Sequence, residues 1–489
     1  MSGTQDNAAL TLKATRWLGE HQGSVRKRHY PAFHLAAPSG WINDPNGFCF
    51  ALGQYHLFYQ HYPYDAQWGP MHWGHAVSDD LIHWHHCPVA LAPSEAYDKD
   101  GCFSGSAIEH DGKLYLIYTG HVWLKEPGND DAIREVQCLA VSKDGLHFEK
   151  QGVIIEPPEG VMHFRDPKVW EENGKFYLVL GARMPGDRAQ ILKYASEDLR
   201  TWTLMGPVLS APEGEAFMYE CPDVFPLDGQ YVAALSPMGL KPQGIERNNP
   251  SINSYVVAAA GEGFDPSQLK EIDHGHDFYA SQSMLAPDGR RIMVAWLSMW
   301  KLPFASYKDN WCGMLTLPRE LSLKDGKLIQ KPVREVQSLY KKEKSLGSIE
   351  VTNGVSTLCE TFKRCRLTLK VTAGASAECY GLRLGNALSL YVDRQHGELT
   401  LLRMEEGFFA PRSMQLEAVR DLDLEIFIDK SAIEVFVNGG EATFTTAFYC
   451  EERSPLTLFA TNGTAAFKEV TLTALKNVMK GERIGRDSQ

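Results

Sequence analysis

The 489-residue sequence predicts an all-β protein: a five-bladed β-propeller, then a β-sandwich, with a short helix before the propeller and a linker helix after it. Two observations carry this. A turn followed by an apolar strand recurs five times, as LGQYHLFYQ at 52, DGKLYLIYTG at 111, NGKFYLVLGA at 173, DGQYVAALSP at 228 and DGRRIMVAW at 288. The glycines of these turns are spaced 59, 62, 55 and 60 residues apart. Downstream, the chain changes to long segments in which apolar and polar residues alternate, the signature of half-buried strands.

The N-terminal segment, residues 1–30, contains Leu10, Ala14, Trp17 and Leu18 at helical spacing, which predicts a helix packed on the body of the protein. Residues 31–330 hold the repeat. An Asn-Gly or Asp-Gly turn between apolar runs marks a β-hairpin, and a period near 60 has room for the four strands of a propeller blade. A weaker echo, Ser-x-Asp-x-x-x-aromatic, occurs as SDDLIHW at 78, SKDGLHF at 142 and SEDLRTW at 196. Residues 331–349 follow as the linker, where Val333, Val336 and Tyr340 share one helical face. Residues 350–489, with stretches such as SLYVDRQHGELTLLRM and LEIFIDKSAIEVFVNGGEATFTT, form the expected sandwich.

Composition narrows the function classes. There are 49 Lys and Arg against 61 Asp and Glu, a formal charge of −12, which argues against nucleic acid or an anionic membrane as partner. No apolar run is long enough to cross a bilayer, and the first residues lack the apolar core of an export signal. The ten cysteines form no CxxC pair and read as thiols packed like small hydrophobes. A cytoplasmic protein is the expectation.

Acidic residues fall at matching places in the repeat. In WINDPNG, Asp44 lies nine residues before Gly53; in HFRDPKVW, Asp166 lies eight before Gly174; in YECPDVF, Glu220 lies nine before Gly229. Alone, Asp44 reads as a turn-capping residue. A cap does not explain matching carboxylates in blades one, three and four. Inner strands of a propeller line its axis, so equivalent positions converge there. Phe103 and Ser104 of CFSGS take that place in blade two, and Phe278 and Tyr279 in blade five, as apolar wall and hydroxyl donors. Three carboxylates in one pocket fit glycoside hydrolysis, with a nucleophile, an acid/base and a group that holds sugar hydroxyls. Arg165, beside Asp166, keeps that residue ionised and offers donors of its own.

Together with LTLPREL at 315, and with GHDFYA and SAIEVFVNGGE, these motifs resemble glycoside hydrolase family 32, the invertases and other β-fructofuranosidases. The resemblance runs from about residue 29 to about 475 and is nearest to intracellular bacterial sucrose-cleaving enzymes, through YQHYPYDAQWGPMHWGHAVSDDLIHW, DKDGCFSGSA and NDDAIREVQCLAVS. It implies Asp44 as the nucleophile forming a fructosyl-enzyme, Glu220 as acid and then base, and Asp166, with Arg165, as the group stabilising the transition state. It implies substrate contacts from Asn43, Gln60, Trp68, Phe103 and Ser104, with Trp41 and Ile42 on the same strand and Tyr279 and Trp296 as wall residues. Retention of configuration follows from the family, with the two working carboxylates about 5–5.5 Å apart.

Other readings stay open at this point. An inverting arabinan- or xylan-cleaving propeller would place its carboxylates about 6.5–9.5 Å apart, and a non-catalytic sugar-binding propeller would need no acid/base pair. Sucrose 6-phosphate is an alternative to sucrose; Arg183, Arg188 and Lys193 read as outer-surface residues, so no basic cluster compels it. Transfer of fructose to another sugar is a further possibility. His83, His85, His86, His274 and His276 form no ligand set, and neither metal nor cofactor is expected. Cys221 reads as a structural thiol, and Asp429 and Glu434 as exposed positions of a hairpin. The expected partner is a small sugar, with monomer and homodimer both open.

Overall fold

The computed structural model describes residues 6–301, 305–362, 364–405, 408–416, 421–450 and 454–479. Five sheets follow one another around an axis, and each supplies its first strand to the centre. Those inner strands are Gly40–Ala51, Gly101–His110, Phe164–Glu172, Met218–Leu227 and Tyr279–Leu285. Blades two to five are four-stranded meanders, while blade one carries the short parallel pair Trp311–Cys312 inside its first strand. That addition joins the end of the ring to its beginning.

The repeat turns form as the spacing predicts. Gly53, Gly112, Gly174, Gly229 and Gly289 all have φ between +67° and +85°, a region that favours glycine. In the first four turns the preceding Leu52, Asp111, Asn173 and Asp228 are also left-handed, as tight hairpins matching strand twist require. The second echo is a shared side-chain turn. Asp80, Asp144 and Asp198 each accept the backbone N–H groups two and three residues ahead, and each carboxylate also accepts from the serine two residues before it.

The helix Asn7–His21 buries Ala14 and Leu18, with Trp17 stacked on His21 and edge-on to Tyr64. Among the described residues no helix is long and apolar enough to cross a membrane. The linker helix is not found. The segment makes only a 3-10 turn, Arg334–Leu339, and then a strand, Tyr340–Cys359, antiparallel to Leu456–Leu475. Val333, Val336 and Leu339 are buried, but the following Lys-Lys-Glu-Lys run has no apolar face to bury as a helix and pairs its backbone instead. The sandwich sheets therefore begin at Tyr340, earlier than the expected 350. All ten cysteines are described, and none forms a disulfide.

Asp429 and Glu434 are also not where the alternation suggests. Both are fully buried, with 0% exposure, because the outer face of that hairpin packs on the propeller. His34 bridges them at 2.9 Å to each, and Arg319 reaches Glu434 at 2.6 Å and Asp273 at 3.1 Å. Burial alone would lower the His34 pKa; hydrogen bonds and charge from Asp429 and Glu434 together override it and hold the group at about 9.

Candidate active site

Every inner strand is broken by a β-bulge at the same depth, between Ile42 and Pro45, Phe103 and Gly105, Arg165 and Lys168, Glu220 and Asp223, and Tyr279 and Gln282. A bulge bends its strand and re-aims one side chain. Asp44, Ser104, Asp166, Cys221 and Ala280 occupy these bulges, and Asp166, Cys221 and Ala280 hold positive φ there (66°, 47° and 53°). For residues other than glycine this is strained backbone, kept only where the surroundings enforce it. The result is a ring of five equivalent positions facing the axis.

Asp44 accepts from Ser104 Oγ at 2.7 Å, from Asn43 Nδ2 at 3.0 Å and from Cys221 Sγ at 3.6 Å. Trp41 Nε1 donates to Asn43 Oδ1 at 2.7 Å and fixes that amide. Asp166 accepts from the Cys221 backbone N–H at 2.9 Å, and the Cys221 thiol lies 3.6 Å from the same oxygen. Glu220 accepts from Arg165 through Nη2 at 2.8 Å and Nε at 3.1 Å, and from the Tyr279 hydroxyl. Burial pushes the Asp44 carboxyl up, while its three donors pull it back. Burial, opposed by Arg165 and reinforced by Glu220 and Asp44, pushes Asp166 up to about 8. Arg165 spends its hydrogen bonds on Glu220 and Glu135, so, against the expectation, it does not keep Asp166 ionised near neutrality in this crowded acidic pocket.

The expected wall is largely assembled. Trp41, Trp296 and Tyr279 share one apolar cluster, with Trp41 and Trp296 centroids 5.8 Å apart and Trp300 beside both. Phe103 stacks on His121 at 4.0 Å, and Trp68 stands edge-on to Phe103 at 6.2 Å, 40% exposed at the mouth. Gln60 is buried and donates to the Cys102 carbonyl at 3.0 Å. Ile42 does not join them. Strand alternation turns it away from Trp41 and Asn43 into the core beneath blades one and five, where it is 0% exposed. Below the carboxylates, Gln282 ties Phe48 N–H to the Gly105 carbonyl, leaving a cavity of about 10 Å³ and closing the funnel.

Several residues at the site were not anticipated. Glu135 is buried against Arg165 Nη1 at 3.2 Å, His121 Nδ1 at 3.2 Å and the Phe164 N–H at 2.8 Å. Burial opposes its ionisation, but the charge of Arg165 and the bond from His121 hold it down at about 2. His163 touches Arg165 Nη1 at 3.0 Å and Arg183 Nη1 at 3.4 Å. Arg183 is therefore linked to Arg165 through His163, while its other partner, Asp187, is 71% exposed. Arg188, bonded to the Ala211 carbonyl, and Lys193, over Trp170 and Tyr177, take no part in these contacts.

Residues 34–332 match the glycosyl hydrolases family 32 N-terminal domain, and residues 335–474 match the glycosyl hydrolases family 32 C terminal. The chain belongs to glycosyl hydrolase family 32. Among its relatives, a sucrose-6-phosphate hydrolase of Escherichia coli is 47% identical over 96% of this chain and 100% of its own. A raffinose invertase of Escherichia coli is 49% identical over 96% of this chain and 99% of its own. A solved β-fructofuranosidase of family 32 from Bombyx mori superimposes with a TM-score of 0.86 at 29% identity, covering 97% of this chain and 100% of that one. A sucrose-6-phosphate hydrolase from Lactobacillus gasseri gives 0.83 at 30% identity, covering 95% and 97%. This family 32 protein is accordingly a glycoside hydrolase, and its propeller and sandwich are those of the family.

Proposed function

We propose that this hydrolase is a retaining β-fructofuranosidase that cleaves sucrose and short terminal β-fructosides in water. The observation that carries the reading is the split in how the carboxylates are held. Asp44 meets only neutral donors (Ser104, Asn43 and Cys221), so one face of it is set as a nucleophile. Glu220 is clamped by a guanidinium and a phenol that keep its oxygens in place while its proton comes and goes.

In the first step Asp44 attacks the anomeric carbon of the fructosyl unit, and Glu220 gives its proton to the departing glycosidic oxygen. In the second, Glu220 takes a proton from water, which attacks the same carbon and releases Asp44. Asp166 holds fructose hydroxyls, and Trp41 and Phe103 supply apolar wall. The closed base of the funnel suits removal of one terminal residue at a time. A partner that binds as a small sugar needs no cofactor in this scheme.

Methanol tests the stereochemistry. A fructosyl-enzyme intercepted by methanol gives methyl β-fructofuranoside, the retained product, whereas an inverting enzyme gives no β-anomer. Asp44→Asn and Glu220→Gln should each lower kcat/KM by about 10²–10⁴ with the fold intact. A fully active Asp44→Asn enzyme would sink the reading. Sucrose 6-phosphate is the second reading, favoured by the contacts of Arg183.

A further inference from the structure

Blade two carries an aromatic stack that leads from the pocket wall to the back of the acid clamp. Phe103 is the wall residue next to Ser104, and Ser104 donates to Asp44. The Phe103 ring lies flat on the imidazole of His121, with centroids 4.0 Å apart and planes 5° from parallel. Gly101 pairs across the sheet with His121, and a Cβ there would come within 2.6 Å of the Phe103 ring. Glycine at that position thus leaves the space in which the two rings stack. Trp123 meets the same imidazole edge-on, with centroids 4.4 Å apart.

In its own plane, the imidazole bonds to a different part of the site. His121 Nδ1 lies 3.2 Å from Glu135 Oε1, and Glu135 Oε2 lies 3.2 Å from Arg165 Nη1. Arg165 is the guanidinium that holds Glu220. Glu135 stays ionised, with its pKa held at about 2, and an ionised carboxylate only accepts. Nδ1 therefore carries a hydrogen and donates it.

One buried side chain thus makes two contacts of different kinds. Its apolar face supports Phe103, and its polar edge supports Glu135. A phenylalanine would offer the same face without the donor, and an asparagine amide would offer the donor without the face. Histidine does both. Both His121 and Glu135 are 1% exposed, so neither contact is loosened by competing water.

We infer that His121 is a positioning residue for the reaction, coupling the aromatic wall at Phe103 to the Arg165 clamp on Glu220. This rests on the fructosidase reading above and adds to it a residue that touches none of the reacting atoms. The face of His121 fixes the wall against which the sugar binds. Its Nδ1–H orients Glu135, which holds the guanidinium that keeps Glu220 in place for proton transfer. Substrate binding and acid catalysis accordingly depend on separable halves of one imidazole.

The test is kcat and KM, with the better substrate of sucrose and sucrose 6-phosphate, alongside thermal melts. The enzymes are the wild type, His121→Phe, His121→Asn, Glu135→Gln and the double variant His121→Phe/Glu135→Gln. His121→Phe keeps a flat ring against Phe103 and removes the donor, so it should lower kcat about tenfold with little change in KM. His121→Asn keeps a donor for Glu135 and removes the ring. It should raise KM about two- to tenfold, the range of an aromatic pair, and lower kcat less than His121→Phe does. In the Glu135→Gln background His121→Phe should lower kcat little further, because both act through one guanidinium. The same change of both constants in the two variants, full additivity with Glu135→Gln, or a shift of melting temperature alone would overturn the coupling and leave the fructosidase intact. If His121→Phe does not fold, His121→Asn and Phe103→Leu decide: KM raised in both supports the coupling, and KM unmoved in either overturns it. A wild type that turns over neither sugar would fail the fructosidase reading and the coupling with it.

Discussion

Arg165 holds Glu220 through two nitrogens, at 2.8 and 3.1 Å, and is itself held from behind by buried Glu135 at 3.2 Å. Glu135 is a positioning residue: it reaches the reacting atoms only through the guanidinium. Glu135→Gln should lower kcat by about 10–100-fold with little change in KM, from the loss of a charged hydrogen bond. Glu135→Asp should recover part of it. A change confined to thermal stability, with kcat intact, would show a structural role only.

Tyr279→Phe removes the one hydroxyl on the second oxygen of Glu220 and leaves the ring in the wall. About tenfold lower kcat is expected, with an unchanged near-ultraviolet spectrum indicating that the Trp41 and Trp296 cluster stays packed. Wild-type kcat in this variant would remove Tyr279 from the clamp.

Acid should destabilise the protein through its buried histidines. Burial lowers the pKa of His61 to about 4 and of His72 and His86 to about 3, and lowers His56, His75, His163, His274 and His276 as well. Below pH 6.5 the unfolded chain binds protons that these native groups refuse, so stability falls as pH drops from about 6.5 toward 4. Asp44, Asp166 and Glu271, raised by burial, run the other way in the same window, but are fewer. Urea midpoints at pH 7, 6 and 5 should therefore decrease in that order at constant m-value. A flat series would contradict the buried neutral state of these histidines.

His34 has the opposite sign. Its raised pKa means that its contribution is complete below pH 6.5 and is lost as pH climbs through about 9. His34→Gln strands Asp429 and Glu434 as buried, partly unpaired charges, and should cost about 3–5 kcal/mol in urea denaturation. An effect below 1 kcal/mol would mean that the backbone donors of Ala32 and Phe33 suffice for Asp429.

How much of this was legible depends on the range of the interaction. The hairpin turns were, because a left-handed Asn-Gly or Asp-Gly pair is a local requirement that leaves its mark in the chain. The carboxylates were, because the bulges recur at nearly the turn period. Glu135, His163 and Arg183 were not: their roles arise from contacts between neighbouring blades, and nothing local distinguishes Glu135 from another polar strand residue. Asp429 and Glu434 were misread because alternation says which face a residue is on, not whether a second domain covers that face. The linker was misread for a related reason: Val333 and Val336 do point inward, but three apolar residues fit one 3-10 turn as well as a helix.

The central claim is that Asp44 becomes covalently bound to fructose. The most direct measurement is mass spectrometry of the enzyme quenched with acid during turnover of sucrose and of sucrose 6-phosphate, then digested. The account predicts that the peptide carrying Asp44 gains the mass of one anhydrofructosyl unit, and that the gain is absent from Asp44→Asn. A fructosyl ester on Asp166 or Glu220, or an active enzyme with no adduct and an inverted product, would contradict it.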